Sequence, residues 1–432
     1  MMRKIAYYLI FTSILLFNTS NIFSQWTEIT VGTFLTLFSV SAINNDIVWA
    51  AASGQNMFRT TNSGQTWENK GLNIPDPQGV HTNVFAIDQN TALFATYAGS
   101  PTRVAYVYKT TNAGANWSLV FTQGSNALIT AIWIKPNLQG FMCGWHVGGR
   151  WSLWRTSNGG NNWDSTGLYI PESNASYWTF ENAMQYMGSN IWFGVRGKGI
   201  YYSSNDGNSW TLQDLTSGGF PYPAGLWFDD AQNGFSSGNL NIIKTTNGGT
   251  NWTVTPGSSG SEVIRGITGS GSQWWYVREF TPYIYYTSNS GANWVLQFTS
   301  PSNGGYKHIT KARDGNTLWA VNITGRVSKS TIMTSINPVN GEVPTSFSLS
   351  QNYPNPFNPE TKIKYQIPKN ALVSLVIYDE TGKEIRKLVN ETQHAGTYET
   401  SFNASNLASG IYFYSLFADG NKIDGKKMVL IK

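Results

Sequence analysis

The chain contains one cysteine in 432 residues and only four histidines. A lone cysteine, Cys143, excludes a disulfide framework, and within a strand-like GFMCGW segment it reads as a buried, inert thiol. No His-x-x-x-His or Cys-x-x-Cys spacing is present, so neither metal nor cofactor is expected. Charge is also scarce, at 12% of residues. The net charge of +5 does not concentrate anywhere. Arg3 and Lys4 sit at the amino end, residues 25–344 hold 17 Lys and Arg against 16 Asp and Glu, and residues 345–432 hold 10 against 8. Without a basic stripe to neutralise phosphates, nucleic acid is not an expected partner. Long apolar runs are missing with one exception, residues 5–17, which follow Arg3 and Lys4 and precede a Ser-rich stretch. That arrangement predicts a secretory signal over residues 1–24, too short and wrongly flanked for a membrane span. No transmembrane segment is expected in the mature chain from Gln25 onward.

Tryptophan, by contrast, is abundant, with 18 copies. Six of them end nearly the same eight-residue sentence, [Thr/Ser]-x-Asn-x-Gly-x-x-Trp, at residues 60–67, 110–117, 156–163, 203–210, 245–252 and 287–294. The asparagines are Asn62, Asn112, Asn158, Asn205, Asn247 and Asn289. The glycines are Gly64, Gly114, Gly160, Gly207, Gly249 and Gly291. The tryptophans are Trp67, Trp117, Trp163, Trp210, Trp252 and Trp294. Asn tolerates positive φ and bonds the backbone two residues on, Gly adopts positive φ without strain, and the Trp ring wedges beside the turn. Copies recur every 42–50 residues with β-rich segments between them, the period of a radial β-array.

The sentence resembles the Asp-box, or BNR, repeat of β-propellers such as sortilin, xyloglucanases and photosystem II assembly factors. The resemblance implies that each box joins the third and fourth strands of a blade. In that family the third position is usually Asp; here all six copies carry Asn, which keeps a turn but removes the charge an ion site would use. The segment Trp26-Thr-Glu-Ile is similar to Trp210-Thr-Leu-Gln, while residues 325–331 begin a box that never reaches a Trp. The N-terminal strand is therefore expected to close the last blade and remove an open sheet edge. The fold class follows: all-β, a seven-bladed β-propeller over residues 25–333, a linker at 334–344, and a small immunoglobulin-like β-sandwich over residues 345–432.

That last region carries QNYPNPFNP (351–359), IYD-x-x-G (377–382), LASGIYFY (407–414) and a Lys-rich end. These motifs resemble the type A C-terminal sorting domain of type IX secretion, found in Bacteroidota and related bacteria. The resemblance implies export through the periplasm, recognition by the secretion machinery at the outer membrane, and release or surface attachment.

For the propeller, function is expected on the face opposite the boxes, where inter-blade loops and second hairpins meet. The candidates there are His81, Arg150, Trp178, Arg196, Tyr222, Arg278 and His308, suited to a polysaccharide or protein ligand through stacking and bidentate bonding. Two other readings stay open. One is a glycoside hydrolase using the carboxylate pair Glu181 and Glu262 at the channel mouth. The other is a structural or adhesive surface protein. A sialidase is disfavoured, because no Arg-Ile-Pro motif occurs.

Overall fold

The computed structural model describes residues 26–432 except 55, 72–79, 100–101, 173, 259, 333–343, 370, 394–395 and 405–406. The expected signal at residues 1–24 and nearly all of the expected linker lie outside the described residues. Contacts divide the chain into two units, Met1–Met333 and Thr334–Lys432. No helix among the described residues is long and apolar enough to cross a membrane.

The first unit opens with β1 (Thr27–Thr30) and continues with seven antiparallel sheets. Blade 1 holds β2 (Leu37–Ala42), β3 (Val48–Ala52), β4 (Asn56–Thr60) and β5 (Glu68–Asn69). Blade 2 holds β6 (Val80–Ala86), β7 (Ala92–Ala98), β8 (Val104–Thr110) and β9 (Ser118–Gln123). Blade 3 has three strands, β10 (Ile129–Ile134), β11 (Gly140–Val147) and β12 (Arg150–Thr156). Blade 4 holds β13 (Thr179–Met187), β14 (Asn190–Val195), β15 (Gly199–Ser203) and β16 (Thr211–Asp214). Blade 5 holds β17 (Leu226–Phe228), β18 (Gly234–Gly238), β19 (Asn241–Thr245) and β20 (Thr253–Val254). Blade 6 holds β21 (Ile264–Ser270), β22 (Gln273–Arg278), β23 (Tyr283–Thr287) and β24 (Val295–Thr299). Blade 7 holds β25 (Tyr306–Lys311), β26 (Thr317–Asn322) and β27 (Arg326–Thr331).

The innermost strands β2, β6, β10, β13, β17, β21 and β25 touch one another in that order, and β25 touches β2, so the blades form a ring. Blade 7 takes its outer strand from the other end of the unit: β1 pairs with β27 with Thr27 opposite Lys329 and Thr30 opposite Arg326. Trp26 is buried, stacks on Phe298 at 6.1 Å and shares the Gln297 side-chain oxygen with Trp275. It fills the place that a box tryptophan fills elsewhere. In blade 3 the fourth strand shrinks to two isolated bridges, Arg155 to Asp164 and Arg150 to Pro171. The residues after Trp163 are turn formers, and the Asp164 carboxylate accepts both the amide and the hydroxyl of Thr166, which bends the chain away.

The boxes work differently from the expectation in two respects. Positive φ falls on the residue after Asn and on the Gly, as in Asp206 (56°) and Gly207 (82°), and not on the Asn itself. The Asn oxygen also reaches four residues on: Asn205 Oδ1 accepts from the Ser209 amide at 2.9 Å, and Asn112 Oδ1 from Asn116 at 3.0 Å. A third contributor is the leading hydroxyl, which accepts the glycine amide in all six copies at 2.8–3.1 Å. Two local acceptors and two left-handed residues thus define one turn. The glycines carry a second constraint, because a Cβ on Gly207 would lie 2.9 Å from the Phe141 ring of the preceding blade. Box tryptophans cross the same seam, with Trp67 edge-on to Trp319, Trp117 to Trp49 and Trp294 to Phe235. The mid-strand rings Trp49, Trp192, Trp275 and Trp319 are fully buried.

The second unit packs a three-stranded sheet, β28 (Ser348–Leu349), β29 (Glu360–Ile367) and β32 (Gly396–Asn403), on a four-stranded one. The latter runs in the order β31 (Glu384–Gln393), β30 (Ala371–Tyr378), β33 (Gly410–Ala418), β34 (Asn421–Leu430). Alternation along β29 and β30 sends Ile363, Tyr365, Ile367, Val373, Leu375 and Ile377 into one core. The NYPNPFNP stretch joins that core through buried Phe357 and Asn352. The Asn352 amide donates to Tyr414 Oη at 2.7 Å, and its side-chain nitrogen donates to Thr361 Oγ1 at 3.0 Å. Asn355 Oδ1 accepts from the Val429 amide, which holds the end of the final strand.

Candidate ligand-binding face

Local hydrogen bonds define the two faces of the ring. In each boxed blade the amide after the box asparagine donates to a carbonyl of that blade's first hairpin, as Ala113 to Asn90, Gly159 to Leu138 and Asp206 to Ser189. Boxes and first hairpins therefore share one face. On the other face, second hairpins bond the inter-blade loops: Trp145 donates to Leu128, Arg196 to Trp178, Gly197 to Pro221 and Glu279 to Val263.

This second face brings together three of the predicted residues. Arg196, in the β14–β15 hairpin, lies with its guanidinium carbon 3.7 Å from the Trp178 ring centroid and 5.0 Å from that of Tyr222. Its Nη2 also donates to Tyr222 Oη at 2.8 Å. Trp178 comes from the loop entering blade 4 and Tyr222 from the loop entering blade 5, and both are pinned by the backbone bonds to Arg196 and Gly197. Gly197 has φ 79°, and a Cβ there would stand 2.5 Å from Tyr177 Cδ1, so a larger residue would displace the hairpin. The stacked cation is held before any ligand arrives, each cation–π contact being worth about 0.5–2 kcal/mol.

The row continues beyond the predicted residues. Trp145, at the end of β11, lies 6.2 Å from Trp178, and Arg103 lies over both Trp145 (5.2 Å) and Tyr97 (5.5 Å). Arg103 sits in the second hairpin of blade 2, between β7 and β8. Trp145 and Tyr97 were not separable from core aromatics in the sequence, because both end strands whose other residues point inward.

The remaining predicted residues stand elsewhere. Arg278 is 3% exposed and donates to three backbone carbonyls, of Glu262 (2.6 Å), Leu240 (3.1 Å) and Ser258. It ties blades 5 and 6 together and offers nothing to solvent, which corrects its placement on a ligand-binding face. Arg150 braces the loop after blade 3, with contacts of 3.5 Å to Leu168 O and Ser165 Oγ. His81 lies in β6 opposite Thr96, with its side chain outside the described residues. His308 lines the central channel and not the rim, a second correction. Its Nδ1 accepts from the Val40 amide at 3.2 Å, and burial pushes the imidazole down to about 4. That contact belongs to a series: Ser39 Oγ accepts from Val84 N, and Asn83 Oδ1 from Ile132 N. His308, Ser39 and Asn83 each follow the bulge in their inner strand and cap the amide of the next blade. Asn182 crosses the channel to accept from Ser39 Oγ and Asn83 Nδ2. The cavity left there is about 50 Å³, room for water but not for a sugar ring.

The two carboxylates of the hydrolase reading have separate surroundings. Glu181 lies 3.5 Å from Arg265, which also binds Glu279 at 2.7 Å, and Glu279 in turn accepts from Lys307 at 2.8 Å. Burial would raise the Glu279 carboxyl, but Lys307 and Arg265 outweigh it and hold the group below the usual range. Glu262 precedes β21, and its backbone carbonyl serves Arg278. Among the described residues there is no group of three His, Cys, Asp or Glu side chains that could hold a metal. Cys143 is buried beside Thr130, and burial pushes its thiol up to about 12.

No curated protein matches the chain. Among solved structures, the chain is similar to YCF48 bound to D1 peptide, at 15% identity and a TM-score of 0.56, over 72% of this chain and 98% of that one. YCF48 from Cyanidioschyzon merolae gives 17% identity and a TM-score of 0.53, over 71% and 98%. The GH74 xyloglucanase from Xanthomonas campestris gives 14% identity and 0.55, over 79% and 59%. At such identities the likeness is one of fold. Residues 351–432 match the secretion system C-terminal sorting domain. The chain thus ends in a secretion system C-terminal sorting domain, and the propeller it carries is exported by type IX secretion to the cell surface or the extracellular space.

Proposed function

We propose that the exported propeller is a recognition module, binding a polysaccharide or protein polymer through the face of second hairpins and inter-blade loops. The observation that carries this reading is Arg196 stacked between Trp178 and Tyr222, a cation and two rings drawn from three segments and fixed in advance. Structures of similar fold include YCF48 bound to a D1 peptide and a GH74 xyloglucanase, so the fold is compatible with polymers of both kinds. The hydrolase reading has less support, because Glu181 is engaged by Arg265 and the channel cavity is small.

The test is binding of the purified protein to an array of extracellular polysaccharides and to a panel of cell-surface proteins. Trp178→Ala and Arg196→Ala should each weaken the ligand found by about tenfold or more. Gln65→Ala, an exposed change on the box face, should leave it unchanged. Equal loss from both faces, or no ligand in either set, would overturn the reading.

A further inference from the structure

The row on this face has a charge pattern that narrows the ligand, and the narrowing rests on the recognition reading above. Acidic side chains around it are already matched: Glu172 with Lys198 at 2.5 Å, Glu181 with Arg265, and Glu279 with Arg265 and Lys307. Arg103 and Arg196 have no such partner among the described residues. Their guanidinium carbons lie 5.5 Å from the Tyr97 ring, 5.2 Å from Trp145, 3.7 Å from Trp178 and 5.0 Å from Tyr222. Arg103 directs one edge at Asn126 Oδ1, 3.5 Å away, and Arg196 directs one at Tyr222 Oη. A planar guanidinium set beside aromatic rings, with one N–H group engaged and no carboxylate partner, can grip a carboxylate with two parallel bonds.

We infer that Tyr97, Arg103, Trp145, Trp178, Arg196 and Tyr222 form a binding row for an acidic polysaccharide, whose carboxylates meet the two arginines while sugar rings lie over the half-exposed indoles. Steps of 5.2, 6.2 and 3.7 Å lead from Arg103 through Trp145 and Trp178 to Arg196, within reach of one short oligosaccharide. An acidic peptide fits the row less well. Peptides docked by strand addition need free backbone at a sheet edge. Here the hairpin and loop amides already bond one another, from Trp145 to Leu128, Arg196 to Trp178 and Gly197 to Pro221, leaving ring surfaces and guanidinium edges.

The experiment measures binding of the full chain to polygalacturonate, to the same polymer after carboxyl reduction, to dextran sulfate and to polyglutamate, at low and moderate salt. Polygalacturonate should bind, and should weaken as salt rises. Carboxyl reduction, Arg103→Ala and Arg196→Ala should each weaken it by about tenfold or more. Arg196→Lys keeps the charge but loses the planar fork, so it should also bind more weakly, and near-ultraviolet circular dichroism checks that every variant is folded. The assignment is overturned by arginine variants that bind like the parent, by equal binding of the reduced polymer, or by tighter binding of dextran sulfate or polyglutamate. A neutral glycan that is weakened by Trp178→Ala and Arg196→Ala but unaffected by salt would sink the acidic ligand while leaving the recognition reading intact. Failure with every polysaccharide and every surface protein would sink both.

Discussion

At the scale of single residues, two groups carry consequences that can be measured. The leading hydroxyl of each box accepts a buried glycine amide, so replacing it with an isosteric methyl leaves that donor unmatched. Thr245→Val should therefore lower unfolding free energy in urea by about 1–3 kcal/mol. His308 is held neutral, its pKa lowered from 6.5 to about 4 by burial. Below about pH 6.5 the unfolded chain takes up a proton that the folded chain refuses, so stability is flat above that pH. It should fall as pH drops toward 4, by up to about 3 kcal/mol from this group. Denaturant titrations across that window should show a shallower fall in His308→Asn than in the parent. An identical slope would mean that His308 does not titrate this way.

At the scale of elements, the ring depends on a seam made from opposite ends of the first unit. Trp26 and β1 give blade 7 its outer strand, and Glu28 accepts from Ser302 N at 3.1 Å and from Ser300 Oγ across the seam to the loop after blade 6. Trp26→Ala removes a buried ring and leaves Gln297 with only Trp275 as a donor. It should cost about 3–5 kcal/mol by chemical denaturation, as a cavity in any blade core would. The box motif could be found from sequence because its bonds are local, spanning no more than four residues. Its detailed mechanics could not, since the left-handed residue and the role of the hydroxyl emerge only from backbone angles. Blade 3 shows the opposite limit: its period was legible, but its fourth strand is reduced to two isolated bridges, Arg155 to Asp164 and Arg150 to Pro171.

At the scale of the molecule, two units carry two tasks. The sorting domain brings export, so deleting residues 345–432 should leave the propeller in the periplasm, read by fractionation and blotting of cells and medium. Normal release of the truncated protein would contradict this. Within the propeller, the candidate site was only partly legible. Trp178 and Tyr222 were named because they sit in long inter-blade loops and Arg196 because it sits in a second hairpin of the same face, and the fold brings the three into contact. Arg278 looked equivalent by position in its hairpin, but it turns inward to three carbonyls.

The amino-acid sequence alone determined the repeat, the ring it builds and the sorting domain, because turn bonds and alternating strands are written within a few residues of each other. Tertiary structure alone decided which cation meets which ring. Arg196 touches one residue 18 positions before it and another 26 positions after it, in the loops entering blades 4 and 5. Contacts of that kind depend on how neighbouring blades are set side by side, and no local pattern encodes that angle.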